Sequence, residues 1–283
     1  MESPSDHAHE RFSPLLFAIT VGLTLVILFT ALRCIAPEVW RLELAAPAWT
    51  YAAVVLLISL LNCFFEFFFH RYVLHRPLVP GFARLYRQHT LHHALTRVGR
   101  IPTAGGSTEM FVENKFPMTE PAQGEGSFFP WYSLAGFALF YAPFFVLLHW
   151  LVPTWPWFLG GIGALTISLI LYEGLHAINH WPMTKWKPLI EHPTQGGLWR
   201  AIYSFHIRHH AVIDCNESVS GFFGLPVADW TFRTCVIPGT LYANGETWTA
   251  ENFTRPRPRA MIRVLDQFAD RLIARRRSDA ARD

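Results

Sequence analysis

The chain has 283 residues, of which 51% are hydrophobic and only 16% are charged, and its formal net charge is +3. With a positive mean hydropathy, this composition describes a membrane protein better than a soluble one, and we expect no nucleic-acid partner. The cysteines show no paired spacing, so we expect small buried thiols rather than a disulfide framework. They are Cys34, Cys63, Cys215 and Cys235.

Four apolar segments are long enough to cross about 30 Å of hydrocarbon as helices. They cover residues 14–36, 48–69, 130–151 and 155–175. A signal peptide is the alternative for the first segment, but the run is long, Arg11 is its only preceding cation, and it lacks a small-residue cleavage site. We therefore predict an all-α fold: one integral membrane domain over residues 1–283 with four transmembrane helices and a cytoplasmic helical cap.

The distribution of cations predicts the topology. Nearly all Lys and Arg residues lie in segments 70–129 and 176–283, whereas the 37–47 connection holds only Arg41. The positive-inside rule then places both segments and both termini in the cytoplasm. Within the second segment, residues 260–275 have apolar side chains at helical spacing. This pattern indicates an amphipathic helix that lies either on an anionic membrane surface or on the cytoplasmic domain.

Histidines form four short clusters that repeat the same spacing in two halves of the chain. The first half has an H-x4-H pair and an H-x-x-H-H box, and the second has an H-x3-H pair and another H-x-x-H-H box. Except in the first pair, this spacing predicts that the histidines of each cluster lie on one helical face, because residues three or four apart are neighbours on a helix. The ten clustered residues are His70, His75, His89, His92, His93, His176, His180, His206, His209 and His210.

We predict that these ten histidines bind metal, in a dinuclear site with about five ligands for each ion. Neutral imidazole suits zinc, copper, iron and nickel, so the ligand type alone does not select the metal. The pairs end spans two and four, so they emerge from the bilayer at the same level, where the two boxes can meet them. The remaining histidines, which are His7, His9, His149 and His192, are expected to be surface or hydrogen-bonded residues.

The order of these clusters on a chain with four spans resembles the fatty acid hydroxylase/sterol desaturase superfamily of integral-membrane di-iron enzymes. The resemblance covers about residues 50–235. It continues past the last box, where Asn216 follows and GLPVADWTFRT is similar to a family segment, with Asp229 in place of its acidic residue. The chain departs from that segment at Arg233, where the family usually has glycine.

The resemblance implies two iron ions, with zinc possible in purified protein, O2 as co-substrate, a lipid substrate in the membrane, and hydroxylation of an unactivated C–H bond. It also implies a separate electron-donor protein, because the sequence contains no cytochrome b5-like domain. The H-x4-H spacing looks most like fatty-acyl 2-hydroxylases, whereas carotenoid and sterol hydroxylases or desaturases remain alternatives. The sequence indicates no oligomeric state, and it assigns no catalytic residue beyond the metal ligands.

Four polar residues near the clusters are candidates to orient the ligands, because a ligand imidazole usually gives its other N–H to a carboxylate or carbonyl. Glu66 lies one turn before His70, and Glu173 lies just before His176. Asp214 and Asn216 follow the last box closely. Alternatively, each carboxylate faces water or contacts an arginine at the membrane interface.

Two functions of another class, metal transport and bis-histidine haem binding, are alternatives. Transport needs polar ligands along the spans, and only span two offers any, at Asn62 and Glu66. Haem would use two to four histidines and leave the other clusters unexplained. Residues 103–126 form a Gly/Pro/Glu-rich segment, which we expect to be either a lid over the substrate or a disordered loop.

Overall fold

The structure is a computed structural model that describes residues 13–102, 110–238, 248 and 250–280. It is mostly helical. The elements of its first half are α1 (Pro14–Ile35), α2 (Pro37–Leu44), α3 (Ala48–Phe69), a π-helical turn (His70–Leu74), a 3-10 turn (Pro80–Phe82), α4 (Ala83–Leu95), β1 (Val98–Pro102), β2 (Met110–Asn114) and α5 (Pro121–Ser127). Those of its second half are α6 (Ser133–Leu151), α7 (Trp157–Asn179), α8 (Met183–Ile190), α9 (Gly196–Ala211), α10 (Val227–Phe232), a 3-10 turn (Ala250–Phe253) and α11 (Ala260–Ala280).

Four helices of the described chain are long and apolar enough to cross a membrane: α1, α3 with the π-helical turn, α6 and α7. They correspond to the four predicted segments. The third helix begins at Ser133 rather than at residue 130, and the fourth continues to Asn179 instead of ending at residue 175. This extension keeps His176 inside a regular helix, so its imidazole is held by the same backbone that crosses the apolar layer.

Helix α7 is the innermost of the four. It has 56% of its most apolar window buried, against 11% for α1. Its small residues allow neighbouring helices to approach closely, because a Cβ at Gly161 would lie 2.5 Å from the Phe145 ring of α6, and one at Gly160 would lie 2.8 Å from Val54 of α3. The packing fixes α7 between α3 and α6, and thereby fixes the position of the histidines at its end.

A buried carboxylate caps the other end of α7. Glu43 of α2 is fully buried and accepts hydrogen bonds from the backbone N–H groups of Phe158 (2.9 Å) and Leu159 (2.8 Å). These N–H groups lack partners within the helix, and a carboxylate complements the positive end of the helix dipole. Burial raises the pKa of Glu43 to about 7, although the backbone donors act in the opposite direction.

The all-α prediction requires one correction, because β1 and β2 form an antiparallel hairpin with Val98 opposite Asn114. The β-branched Val98 and Val112 are buried in a cluster with Trp186 of α8 and Tyr203 of α9. The predicted loop of residues 103–126 is therefore structured from Met110 onwards as a strand and helix α5. Its first part, residues 103–109, lies outside the described residues.

Helix α11 packs on the protein through one face. Ile262 is fully buried in a cluster with Cys63 and Phe67 of α3. A second face is exposed and apolar, with exposed fractions of 51% for Met261 and 63% for Phe268. The sequence left membrane and protein contact open as alternatives for this helix; the structure shows the protein contact.

Candidate metal centre

The ten clustered histidines converge in two groups of five, and within each group the candidate ligand atoms all lie within 4.8 Å of one another. We call them group one and group two. Group one consists of His70, His75, His89, His93 and His209. Group two consists of His92, His176, His180, His206 and His210.

Each H-x-x-H-H box is divided between the groups. On α4, His89 and His93 belong to group one, whereas His92 faces group two. On α9, His206 and His210 belong to group two, whereas His209 faces group one. The sequence predicted one helical face for all three histidines of a box, but only the two that are four residues apart share a face. The third histidine lies about 100° around the helix from its immediate neighbour, because an α-helix has 3.6 residues per turn. Each group therefore takes four histidines from one half of the chain and a fifth from the other half.

The π-helical turn explains how the five-residue spacing of the first pair functions. Its wide turn closes with a hydrogen bond from the His75 N–H to the His70 carbonyl (3.0 Å). A π-helix forms hydrogen bonds between residues i and i+5, so it brings these two side chains together where an α-helix would separate them. Their rings stack with centroids 4.9 Å apart and planes 17° apart.

Hydrogen bonds at the Nδ1 atoms indicate the tautomers of several histidines. Nδ1 of His209 lies 2.7 Å from the Cys215 carbonyl, and Nδ1 of His180 lies 2.7 Å from the Phe116 carbonyl. Nδ1 of His70 lies 2.5 Å from the Glu217 carbonyl. A carbonyl can only accept, so each Nδ1 carries the proton and each Nε2 presents a lone pair. These lone pairs point into the two groups.

The Nε2 atoms approach one another at distances that suit a shared metal ion. They are 3.0 Å apart in His70 and His89, and 3.1 Å apart in His75 and His209. In group two the same distance is 3.1 Å for His92 and His210. Two imidazoles at about 2.1 Å from one ion, at right angles, would place their nitrogens about 3 Å apart.

The charge state of the histidines also suits a metal. Burial lowers the pKa of His180 and of His209 to about 4, and it lowers the pKa of His89, His92 and His206 well below the usual range. The imidazoles are therefore neutral near pH 7, as metal ligands must be. In addition, the buried Nε2 atom of His176 has no hydrogen-bond partner among the described residues. A bound cation would satisfy it, so the residues present fit a dinuclear metal centre.

Hydroxyl groups support group two. Nδ1 of His92 lies 2.5 Å from Oγ of Ser127, and Nδ1 of His210 lies 3.2 Å from Oγ1 of Thr96. Both hydroxyls are held in turn, because Thr96 donates to the His92 carbonyl (2.5 Å) and Ser127 donates to the Gln123 carbonyl. These contacts fix the ring orientations without any charged group.

Charged residues support group one. Arg71, which follows His70, is 1% exposed and donates to Glu217 (2.9 Å) and to Asp266 of α11 (2.7 Å). Glu217 has its backbone carbonyl at Nδ1 of His70. Asp229 fixes that loop by accepting from the N–H groups of Glu217 (3.0 Å) and Ser218 (2.9 Å). The orientation of His70 therefore depends on ion pairs that extend to the C-terminal helix.

The four predicted orienting residues lie close to the centre, but their side chains contact other groups. Glu66 accepts from the backbone N–H groups of Ser220 (2.8 Å) and Gly221 (3.0 Å). Glu173 accepts from the N–H of Phe129 (2.8 Å).

The two candidates after the last box also contribute through the chain that carries the ligands. Asp214 pairs with Arg76 (3.5 Å) and Arg255 (3.3 Å). Asn216, at φ +56°, connects the Phe205 carbonyl and both backbone groups of Val236.

Sequence reasoning missed Arg71, Glu217, Thr96 and Ser127. The sequence signal that could have found Arg71 and Glu217 is their position, because Arg71 follows His70 and Glu217 follows Asn216. Arg233, the departure from the family segment, has φ +61° and ends α10 in the left-handed conformation that favours glycine. Of the unclustered histidines, His192 caps a surface turn and His149 lies in α6. His7 and His9 lie outside the described residues.

A small cavity of about 40 Å³ reaches the metal centre at His70. Its walls include Glu66, Tyr172 and Ser220 on the polar side and Phe69 and Phe137 on the apolar side. A space of this size holds on the order of one to three water-sized molecules. The cavity therefore leaves space for a small molecule beside His70.

Comparison of the chain with protein-family models, with curated proteins and with solved structures gave no match in any of the three.

Proposed function

We propose that this protein is a membrane-bound di-iron oxygenase of the fatty acid hydroxylase/sterol desaturase type, which hydroxylates a C–H bond of a lipid chain. One observation carries the proposal: two groups of five imidazoles converge at the ends of helices long enough to cross a membrane, and His70 of group one borders a cavity. Two bound irons would supply O2 activation. A separate electron-donor protein would supply the electrons, and the centre and both chain ends would face the cytoplasm.

The chain's own residues would perform three tasks in this reaction. The ten histidines would hold the two ions through Nε2. Glu217, Arg71, Thr96 and Ser127 would maintain the ring orientations, because outer partners of metal ligands fix their geometry. Phe69 and Phe137 border the cavity at His70 and would exclude bulk water from it.

The arrangement favours a dinuclear centre over haem. Nε2 atoms within a group approach to 3.0–3.2 Å. The two axial histidines of a haem lie on opposite faces of the macrocycle, each about 2 Å from the iron, so their nitrogen atoms would be farther apart. Metal transport is also less well supported, because a pathway needs polar groups along the spans.

The test is metal analysis of protein purified in detergent, with absorption spectra of the same sample. We expect about two irons per chain and no Soret band, followed by an O2-dependent gain of a hydroxyl in membrane lipids. A double bond in place of the hydroxyl would indicate a desaturase. A haem spectrum, or no bound metal after anaerobic reconstitution with iron, would contradict the proposal. Zinc at the same stoichiometry would support the assigned ligands, and reconstitution with iron would then be needed to identify the working metal.

His89→Ala and His206→Ala test the same assignment from the two halves of the chain. Each removes one Nε2 from a group, so metal content and turnover should both fall. Full metal content and full activity in both variants would show that the site has been assigned to the wrong residues.

A further inference from the structure

Helix α11 carries an exposed apolar stripe beside the face that packs on the protein. The exposed fractions of its members range from 37% for Leu265 to 63% for Phe268. The members recur at steps of three or four residues, so they form one stripe that lies about 100° around the helix from the buried face. Contiguous exposed apolar surface marks an interaction site. We call it the α11 stripe; it consists of Met261, Val264, Leu265 and Phe268.

The first turns of α11 lie beside the membrane-spanning part of α3. Ile262 is buried against Cys63 and Phe67. A helix crosses the hydrocarbon in about 20 residues, so a span that begins at Ala48 is still in the apolar layer or at its boundary when it reaches Phe67. Met261 precedes Ile262 and is exposed. The α11 stripe therefore begins at the level of the lipid.

Helix α10 lies at the same level. It packs on the same turns of α3 through Ala228 and Phe232, and it exposes 50% of Trp230. The backbone N–H of Arg259 donates to the Phe232 carbonyl (3.0 Å) and joins the start of α11 to the end of α10. Tryptophan is enriched at the boundary between membrane and water. The exposed indole is therefore consistent with a position of both helices at this boundary.

The later turns of α11 are positively charged. Arg271 and Arg275 lie three and seven residues after Phe268, so they continue the edge of the α11 stripe. Both are exposed, and neither forms an ion pair within the part of the chain that the structure describes. The carboxylates of Asp266 and Asp270 pair instead with arginines that follow α3. An apolar stripe that ends in uncompensated arginines fits the surface of an anionic membrane leaflet.

The same helix supports group one. Asp266 accepts hydrogen bonds from Arg71 (2.7 Å) and from the Tyr72 hydroxyl (2.9 Å), and Arg71 directly follows His70. Arg71 also donates to Glu217 (2.9 Å), whose backbone carbonyl contacts Nδ1 of His70. Movement of α11 away from α3 would remove one partner of a buried guanidinium and loosen the loop that orients His70. The hydroxyl partners of group two lie on other elements.

We propose that α11 binds the anionic surface of a membrane leaflet through the α11 stripe and its arginines, and that this contact raises the affinity of group one for its metal ion. Bound lipid favours the position of α11 in which Asp266 contacts Arg71. By linkage, metal at group one strengthens the lipid contact by the same factor. Asp266 is then a positioning residue for His70. The inference goes beyond the proposed reaction, because it concerns lipid contact and metal affinity only.

Hydrogen–deuterium exchange tests the lipid contact, with the protein as purified in nanodiscs of phosphatidylcholine with or without phosphatidylglycerol. We expect the amides of residues 261–268 to exchange on the order of tenfold more slowly in the anionic discs. The double variant Arg271→Gln/Arg275→Gln should remove this difference, because it removes the charges that anionic lipid attracts. Phe268→Ser should speed exchange in the anionic discs, because it interrupts the stripe without touching the buried face.

Two variants are the matched controls. Arg33→Gln/Arg41→Gln also removes two exposed arginines, but these lie at the opposite ends of the spans, in α1 and α2. Leu198→Ser removes an apolar side chain from α9 that is 61% exposed, as exposed as Phe268. Both controls should leave the exchange of α11 unchanged in both kinds of disc.

A chelator titration with Zn²⁺ that follows the two ions separately tests the coupling. Group one should bind its ion on the order of tenfold more tightly in the anionic discs, and group two should bind equally in both. Asp266→Asn should weaken group one and remove its dependence on anionic lipid. A purely structural role of Asp266 would weaken the binding of Zn²⁺ by the same factor in both kinds of disc and leave the lipid dependence intact.

Four outcomes would overturn the inference. Equal exchange of α11 in the two kinds of disc, or an equal change in the control variants, would show that the stripe does not bind anionic lipid. Protection only in discs with two chains would assign the stripe to a second copy. A lipid contact that leaves group one unchanged, or changes both groups equally, would remove the coupling. Exchange does not depend on which metal is bound, so a failure of the di-iron proposal would leave the exchange results unchanged.

Discussion

The two histidine groups have the same ligand number, but their surroundings differ. All five histidines of group two are buried, whereas His75 and His93 of group one are half-buried. Cavities reach His70 and His89 of group one. In group two, by contrast, the Phe116 ring stacks on His180 with centroids 4.3 Å apart. Backbone carbonyls hold histidines of both groups, but charged residues also support the first group, whereas hydroxyls support the second.

This difference teaches that repeated ligand spacing does not produce equivalent sites. Neutral partners in a closed environment hold group two in one geometry. Group one borders two small cavities and is supported by ion pairs to α11, so its geometry depends on a distant element. We therefore expect group one to be the side on which a substrate approaches, and group two to be the more rigid side.

The largest effect should come from the histidines that cross between the halves. His92→Ala removes a ligand from group two, and His209→Ala removes one from group one, although each lies on a helix that mainly serves the other group. Each variant should lower metal content towards one ion per chain. Turnover should fall by more than the roughly 10–100-fold that loss of an outer partner costs. Metal analysis and lipid turnover measure both effects.

His149→Ala and His192→Ala are the controls for this pair, and each should leave metal content and turnover unchanged. His192 lies at the surface, so its variant should also change stability by less than about 0.5 kcal/mol. If His92→Ala and His209→Ala gave identical iron spectra, the two variants would have lost the same ion. The division of the boxes between two groups would then be wrong.

A smaller effect should follow from Glu217→Gln, which acts on group one only. Arg71 would keep Asp266 but lose a fully buried carboxylate partner. Breaking one arm of a buried ion pair should destabilise the protein by about 3 kcal/mol, which a thermal unfolding scan in detergent would detect. Glu38→Gln is the matched control, because its pair with Arg41 is exposed and contributes about 0–1 kcal/mol. Equal decreases in Tm would contradict the role assigned to Glu217.

Group two should respond to its hydroxyl partners. Ser127→Ala and Thr96→Val each remove one contact to an Nδ1 atom. The affinity of group two for its metal ion should therefore fall on the order of tenfold. A chelator titration that follows the two ions separately measures this. Thr231→Val removes a comparable hydroxyl, one that donates to the Val227 carbonyl on α10, and it should leave both affinities unchanged. Weaker binding at group one alone would contradict the assignment.

The smallest effect should come from Glu43→Gln, at the end of α7 remote from the histidines. The folded-state pKa of about 7 lies above the usual 4.5, so folded protein binds more protons and its stability falls as pH rises through that window. The stability of the variant does not fall with pH in this way. The variant also loses one of the two acceptor oxygens of Glu43, which costs about 1 kcal/mol. The Tm deficit of the variant should therefore shrink between pH 5 and pH 8, with metal content unchanged. A deficit that grows with pH would reverse the sign.

The parts of the molecule that depend on local sequence were predicted well. Hydropathy predicted the four apolar helices. Helical spacing predicted one face for His89, His92 and His93, which is correct for His89 and His93 and wrong for His92. The assignment of His92 to the opposite group depends on how α4 and α9 pack, which no local pattern specifies. The pairing of Arg71 with Asp266 joins residues 195 apart, so only the tertiary fold brings them together. The hairpin was missed because short strands in a Gly/Pro-rich segment have little periodicity.

The exchange of histidines between the halves has a consequence for assembly. His92 and His210 are 118 residues apart in the chain, and His75 and His209 are 134 apart. A metal ion bound by either pair would cross-link distant parts of the polypeptide, as a disulfide does across a long loop, and would restrict the unfolded chain accordingly. During synthesis neither group of five histidines is complete until α9, which carries His209 and His210, has been translated and has brought them to the histidines of the first half. Metal incorporation would then be the step that fastens the two halves of the protein together.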